Sequence, residues 1–209
     1  MKKGRPVHVI GAGGHAKVVI SALRACGFHP RAAFDDQPLL RGRSLLGVLV
    51  NGPIEEIGAC GDVPAVLAIG DNRVRRTLAS RWDLEWLTVV HPSAVVDGSA
   101  EIGPGTVVLA QAVVQAEAVV GAHAILNTAS VVEHDCRLGD FVHVAPRACL
   151  CGEVRLHEGV LCGAGSVLLP RVHIGAWTVI GAGAVVLGNL PPKATAAGVP
   201  ARVLKGRSR

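Results

Sequence analysis

A small α/β N-terminal domain of Rossmann-like βαβ type, followed by a parallel β-helix of hexapeptide repeats, is the fold that the sequence predicts. Three observations predict it. A six-residue rule runs through the second half of the chain without a break. The composition is rich in glycine and poor in rings, with 26 Gly and 50% hydrophobic residues beside three Trp, three Phe and no Tyr in 209 residues. The N-terminal segment carries an apolar strand, a glycine turn, a helix and a second strand, in that order.

Residues 7–10 are a short apolar strand and Gly11-Ala12-Gly13-Gly14 a turn. Residues 15–26 read as a helix stopped by Gly27, and residues 31–34 as a strand ending in Asp35-Asp36. Further helices are expected over 53–60 and 71–81, with a strand over 65–69 between them. A boundary near 86–91 separates an α/β domain over 1–87 from a repeat domain over 88–209 that ends in a short basic tail.

From Val90, steps of six residues land on sixteen positions to Ile180, fifteen of them aliphatic and the other Cys162. Four residues after each stands a small or β-branched side chain, from Ala94 to Ala184. Neither a helix nor a flat strand has this period, but a strand that turns a corner every six residues does, and three sides close a triangular coil. Sixteen sides make five coils and one spare side, a prism roughly 25 Å tall at the usual strand spacing. Gly103, Gly121, Gly139 and Gly175 recur at multiples of 18, as do Gly163 and Gly181. The expectation is that they turn the corners at positive φ.

Gly11-x-Gly13-x-x-Ala16 with acids after the next strand satisfies the G-x-G-x-x-A pattern, in which glycine lets backbone approach a phosphate at a helix N-terminus. A full dinucleotide fold needs more strands than this domain supplies, so a half-sized site for part of a nucleotide or sugar is the better reading, against a turn that merely packs helix on sheet. In the prism, His134 lies off the inward columns and is followed by Asp135. A neutral imidazole is a base at neutral pH, and a carboxylate on its far nitrogen would fix its tautomer. Gly152, 18 residues on, should stack at the same corner, its N–H placed for an oxyanion. His143 projects half a coil away, where a neighbouring subunit's base could face it. Ala164 and Ala182, also 18 apart, make a lane of small residues for a slender ligand, or simply for packing. His91, His123, His157 and His173 are expected at the surface. Cys26, Cys60, Cys136, Cys149, Cys151 and Cys162 contain no C-x-x-C and read as free thiols, with Cys136 in an inward column and so not a nucleophile.

Mean hydropathy of +0.42 with 18% charged residues excludes disorder. Apolar runs fall short of the ~20 residues of a membrane span, and no long apolar segment follows the basic start, so a cytoplasmic protein without a membrane span is expected. A spread-out charge of +5 with few rings argues against a nucleic-acid partner.

Six segments together resemble one family: 9–19, Asp35-Asp36, 68–72, 127–135, 141–144 and 197–202. They are similar to the sialic acid O-acetyltransferase family of hexapeptide-repeat acyltransferases, close to the bacterial N-acetyltransferases of nucleotide-linked 4-amino-6-deoxy sugars of the bacillosamine and perosamine type. The resemblance covers nearly the whole chain. It implies a left-handed β-helix, a homotrimer, acetyl-CoA as co-substrate and no metal. His134 would be the catalytic general base and Asp135 its partner. His143, Gly152, Ala164 and Ala182 would contact acetyl-CoA, with Ala182 standing where a Gly is common. Gly13, Gly14, His15, Asp35, Asp36 and Gly70 would hold the nucleotide sugar, and the tail (Arg202, Lys205, Arg207, Arg209) would be available to coenzyme A phosphates or to solvent. Acetylation of a sugar hydroxyl, a non-catalytic β-helix scaffold and a metal site of His134, His143 and a third histidine such as His123 are the alternatives.

Overall fold

The computed structural model describes residues 4–59 and 62–204. Its first sheet contains β1 (Pro6–Ile10), β2 (His29–Phe34), β3 (Ser44–Leu45), β4 (Val48–Gly52) and β5 (Ala65–Leu67) in the order β3-β4-β2-β1-β5. All pairs are parallel except β3 with β4. Helix α1 (Gly14–Ala25) joins β1 to β2, and α2 (Asn72–Ala79) follows β5. The chain leaves β1 toward β2 on one side and returns to it through β5 on the other, so the loops after β1 and β5 meet at a switch point, where open α/β sheets leave a crevice.

Helix α1 stops because Cys26 closes its last turn and Gly27 takes φ +81°. Its apolar stripe of Ala16, Val19, Ile20, Ala22 and Leu23 is buried. That stripe belongs to one apolar cluster with Val9 and Val66 of the sheet and Val89, Val107 and Ile125 of the prism, so α1 is sandwiched between the two parts of the molecule. The expected helix over 53–60 is a 3-10 helix at Ile54–Ala59, and Cys60 lies outside the described residues. With α2 and Trp86 it covers the opposite side of the sheet.

The repeat region is a triangular parallel β-helix. Its first face runs from Val89–Val90 through Val107–Val108, Ile125–Leu126, His143–Val144, Leu161–Cys162 and Val179–Ile180 to Thr195–Ala197, with Arg202–Val203 added antiparallel. The second runs from Val95–Val96 to Val185–Val186, and the third from Glu101–Ile102 to His173–Ile174. The rungs pair at a step of 18 residues, as in Val131 with Cys149 and Arg137 with Arg155, except the last of the first face, where Val179 pairs with Thr195, 16 residues on. The inward aliphatic column continues one side beyond Ile180, to Val186 at 1% exposure. The small column faces inward as well. Thr106, Ser130, Ser166 and Thr178 are all 0% exposed, and Thr106 and Thr178 donate their hydroxyls to the carbonyls of Gly121 and Pro191.

The corner glycines work differently from the expectation. Gly103, Gly121, Gly139, Gly163, Gly175 and Gly181 are absent from the positive-φ positions. A Cβ on Gly163 would fall 2.5 Å from Ala182 N and one on Gly103 2.6 Å from Gly121 C, so these residues are small because the next coil passes over them. The left-handed corners form another column, two residues further on, of which Gly105, Gln111, Glu117, His123, Ala129, Asp135, Phe141 and Arg147 are the first eight. Most of these carry side chains and accept the strain, because each coil repeats the same backbone geometry.

Candidate active site

The crevice of the first domain opens between the loops after β1, β2 and β5. Gly11 has φ +105°, and a Cβ there would lie 2.8 Å from Ile69 Cγ1, so Gly11 lets these loops touch. Gly13, Gly14 and Gly70 face open space. Gly13 caps α1 without a side-chain bond and no acid stands in the first helical turn, which leaves the positive end of the helix facing the crevice. Asp35 accepts from Ala12 N–H at 2.7 Å and Gln37 N–H at 2.9 Å, and Asp36 accepts from Ile54 N–H at 2.9 Å. Both acids thus brace the walls, and each carboxylate retains lone pairs for a ligand.

His143 lies where this crevice meets the first face of the prism. Its Nδ1 is 3.4 Å from Gly70 O and its Nε2 3.1 Å from Asn127 Nδ2. Asn127 Oδ1 accepts from Thr128 N–H at 2.8 Å, which orients the amide with its NH2 toward the histidine. Nε2 of His143 must therefore accept and Nδ1 must carry the proton, donated to Gly70. Burial, then the Arg75 charge, then His15 bring the His143 pKa down to about 4, so this neutral tautomer is the one present at neutral pH. The ring of His15 is 6.3 Å away, and burial followed by Arg75 brings its pKa also to about 4. Asn127 and Arg75 are the members of this group that sequence reasoning missed. Asn127 stands in the same motif as His134, whereas Arg75 is one arginine of four in its predicted helix.

His134 occupies the corner between the second and third faces. Its Nδ1 is 2.7 Å from Asp135 Oδ2, and both side chains are more than half exposed. The hydrogen bond to Asp135, ahead of the other nearby charges, raises the pKa of His134. The left-handed φ of +61° at Asp135 turns its carboxylate back onto the ring. Gly152 stacks beneath, where a Cβ would fall 2.6 Å from His134 Nε2, so the bare backbone makes room for the imidazole. Cys136 is buried at 0% exposure, with its thiol pushed up to about 11 chiefly by burial, and is no nucleophile.

Ala164 and Ala182 are exposed on successive rungs of the corner between the first and second faces, with Gly183 N–H donating to Ala164 O at 2.8 Å. The same corner holds Thr128 and Pro146 one rung after another, so this lane leads down to Asn127 and His143. Within one chain, the lane and His134 lie at opposite ends of the second face. A single protomer therefore joins His143 to the crevice and to the lane, but not to His134. Of the tail, Arg202 donates to Ala201 O at 3.1 Å, while Lys205, Arg207 and Arg209 lie outside the described residues.

His123 is not at the surface. It is 6% exposed, stacked on Phe141 with ring centroids 5.3 Å apart and met edge-on by Trp86 at 4.9 Å. The two domains close over it, since Trp86 comes from the first and Phe141 from the next rung of the prism. His91 is also partnered, its Nδ1 accepting from Ser93 N–H at 3.1 Å.

The PglD N-terminal domain profile matches residues 6–82, and the bacterial transferase hexapeptide profile (six repeats) matches residues 153–188. UDP-N-acetylbacillosamine N-acetyltransferase of Bacillus subtilis (strain 168) is 40% identical over 110 residues, 50% of this chain and 51% of that protein, so the match spans about half of the relative's length. Among solved structures, a histidine mutant of perosamine N-acetyltransferase from Caulobacter crescentus, in complex with CoA and GDP-perosamine, is 41% identical with a TM-score of 0.92, covering 95% of this chain and 96% of that one. The acetyltransferase domain of PglB from Neisseria gonorrhoeae FA1090, in complex with acetyl coenzyme A, is 37% identical with a TM-score of 0.91, covering 96% of this chain and 100% of that one.

Proposed function

Since the chain belongs to the hexapeptide-repeat acyltransferases with a PglD-type N-terminal domain, the family of the bacillosamine and perosamine N-acetyltransferases, we propose that it moves the acetyl group of acetyl-CoA to the amine of a nucleotide-linked 4-amino-4,6-dideoxy sugar. The observation that carries this reading is the exposed His134–Asp135 pair over a bare Gly152. With Nδ1 held by Asp135, His134 offers Nε2 as the base. As the sugar nitrogen attacks the thioester carbonyl, Nε2 takes its proton and a C–N bond forms. The oxyanion rests on Gly152 N–H until the C–S bond breaks and coenzyme A leaves, and no acyl-enzyme intervenes.

Residues 1–87 take the nucleotide sugar and residues 88–209 carry out the transfer. Gly13 and Gly14 at the start of α1 suit the diphosphate, with His15, Asp35, Asp36 and Gly70 around the remainder of that ligand. Acetyl-CoA lies along Ala164 and Ala182 toward His143. Since the lane and the base lie a full side apart in one chain, the site needs a second copy, and a homotrimer supplies it three times. The second face suits that contact, as its outward residues are Val95, Val113, Val131, Cys149, Val167 and Val185. The reaction is placed, on this reading, in the cytoplasm. Among the described residues no helix is long and apolar enough to cross a membrane.

The test is coenzyme A release over a panel of UDP-, GDP- and dTDP-linked 4-amino sugars, with wild-type protein and His134→Ala. The wild type is expected to turn over at least one of them and the variant to lose about 10²–10⁴-fold. A near wild-type rate for His134→Ala would sink the mechanism. Thiol release only with hydroxyl acceptors would replace it with O-acetylation, and none with any acceptor would leave a scaffold.

A further inference from the structure

An arginine side chain has five N–H donors, and Arg75 directs each at a backbone carbonyl. Nε donates to His123 O at 2.9 Å, Nη1 to Ile69 O at 3.1 Å and Gly70 O at 3.3 Å, and Nη2 to Phe141 O at 2.8 Å and Val142 O at 3.4 Å. The residue is 1% exposed. No ion pair joins it to an acid among the described residues. The adjacent Asp71 instead caps α2, accepting from Arg73 and Val74 N–H groups at 2.9 Å. An unpaired buried cation is a costly filling for an interdomain gap that an apolar side chain could occupy. What the guanidinium does that an apolar group cannot is to bring three stretches of backbone to one plane: the loop after β5 and two successive rungs of the prism.

Two of those five carbonyls have a second donor. Val142 O also accepts from Ile125 N–H at 2.9 Å within the prism ladder, and Gly70 O is shared with a side chain of the candidate site. Gly70 O lies 3.3 Å from Arg75 Nη1 and 3.4 Å from His143 Nδ1. The loop that Arg75 holds therefore supplies one of the two contacts that define the tautomer of His143, the acceptor for Nδ1–H, while Asn127 at 3.1 Å supplies the donor to Nε2. We propose that Arg75 is a positioning residue for the transfer reaction, fixing Gly70 against the prism so that His143 is held in its Nδ1–H tautomer and the nucleotide-sugar crevice keeps its register with the acetyl lane. The inference rests on the function proposed above. The same cation discourages a second proton on His143 and on His15, which reinforces the geometry.

Other contacts between α2 and the prism supply the control. Asn72 Nδ2 donates to Gly159 O at 3.1 Å and Val160 O at 3.3 Å, one rung above, and among the described residues its side chain makes no hydrogen bond to Gly70 or His143. Full-length Arg75→Lys, Arg75→Ala and Asn72→Ala are to be compared with wild type in steady-state kinetics with the amino sugar, and by ¹⁵N NMR of labelled histidines, which reads the tautomer of His143. Lysine keeps the charge but cannot span five carbonyls. Arg75→Lys is expected to lose about 10²-fold in kcat/KM, the scale of an ångström-sized misplacement, together with the Nδ1–H tautomer signature. Arg75→Ala, if it folds, regains activity in low, non-denaturing guanidinium, and Asn72→Ala stays within a few fold of wild type with its tautomer intact. Wild-type kinetics for Arg75→Lys, or an equal loss in Asn72→Ala, would overturn the proposal and leave Arg75 a structural contact. If wild type acetylates none of the amino sugars, the proposed function fails on its own, and the NMR comparison still decides. An unchanged His143 tautomer in Arg75→Lys then refutes the positioning role, and a lost one supports it.

Discussion

A carboxylate 2.7 Å from Nδ1 of His134 has two effects that pull in opposite directions. It makes Nε2 a stronger base, and it raises the pH at which that base is lost to protonation. The acid side of the kcat/KM profile is therefore expected to fall at a pH above the ordinary histidine value of ~6.5. In Asp135→Asn the fall moves to lower pH, while the plateau drops by at least about tenfold because an amide no longer fixes the productive tautomer. The pH profiles of the two proteins check this. Gly152 gives a second prediction at the same corner. The atoms that a Cβ would meet belong to the movable imidazole of His134, so Gly152→Ala costs less than about 1 kcal/mol in a denaturation curve while kcat falls about 10²-fold. The pairing of His134 with Asp135 was legible because the two are neighbours in sequence and an 18-residue period placed Gly152 beside them. Arg75 was not, since nothing local separates it from Arg73 or Arg76. Only the docking of α2 on the prism decides which arginine turns inward.

The corners of the coil obey two rules that the repeat alone did not separate. One column must be small because backbone passes over it, and another must be left-handed but tolerates side chains. Gly163→Ala places a methyl 2.5 Å from Ala182 N and is expected to cost about 3 kcal/mol. Arg147→Gly, at φ +59°, relieves a left-handed strain of about 1–2 kcal/mol and returns about 0.4–1 kcal/mol to the unfolded chain. The net is neutral or slightly stabilising, and urea titrations of both variants check the contrast. The period and the inward columns were legible because a prism so thin admits only aliphatic and small residues. The φ assignment was misread because spacing cannot tell whether glycine serves a close approach or a positive φ. The 3-10 helix at Ile54–Ala59 was read only as helix, since a helical segment of six residues looks alike in both forms.

Across the whole molecule, the junction between domains is lined by histidines kept neutral. His15, His123 and His143 are each brought down to about 4, first by burial and then by Arg75. The unfolded chain takes up these protons near pH 6.5. Between there and about pH 4 it binds more protons than the folded protein, so their contribution to stability is fully present above pH 6.5 and is lost as pH falls through that window. Thermal unfolding at successive pH values should show the melting temperature dropping from pH 7 toward 4. His123→Phe, which keeps the stack on Phe141 without a titrating group, should shallow the drop. The position of His123 was not legible as a single residue, although the column Gly105, His123, Phe141, Gly159, Trp177 holds only glycines and rings at 18-residue steps. A Cβ at Gly105 or Gly159 would meet the His123 or Trp177 ring at 2.4 Å in each case, so the glycines seat the rings.

That column faces α2, where Arg73 and Arg76 lie over the Trp177 ring at 4.8 and 5.5 Å and Arg76 pairs with Glu158 at 3.0 Å. A wall made of identical courses has no landmarks, and a domain resting against it would find the same backbone at every height. The rings and glycines along one edge give each course an address. Coils can be added or removed beyond the last marked course without moving the partner domain, but the marked interval itself has to keep its count.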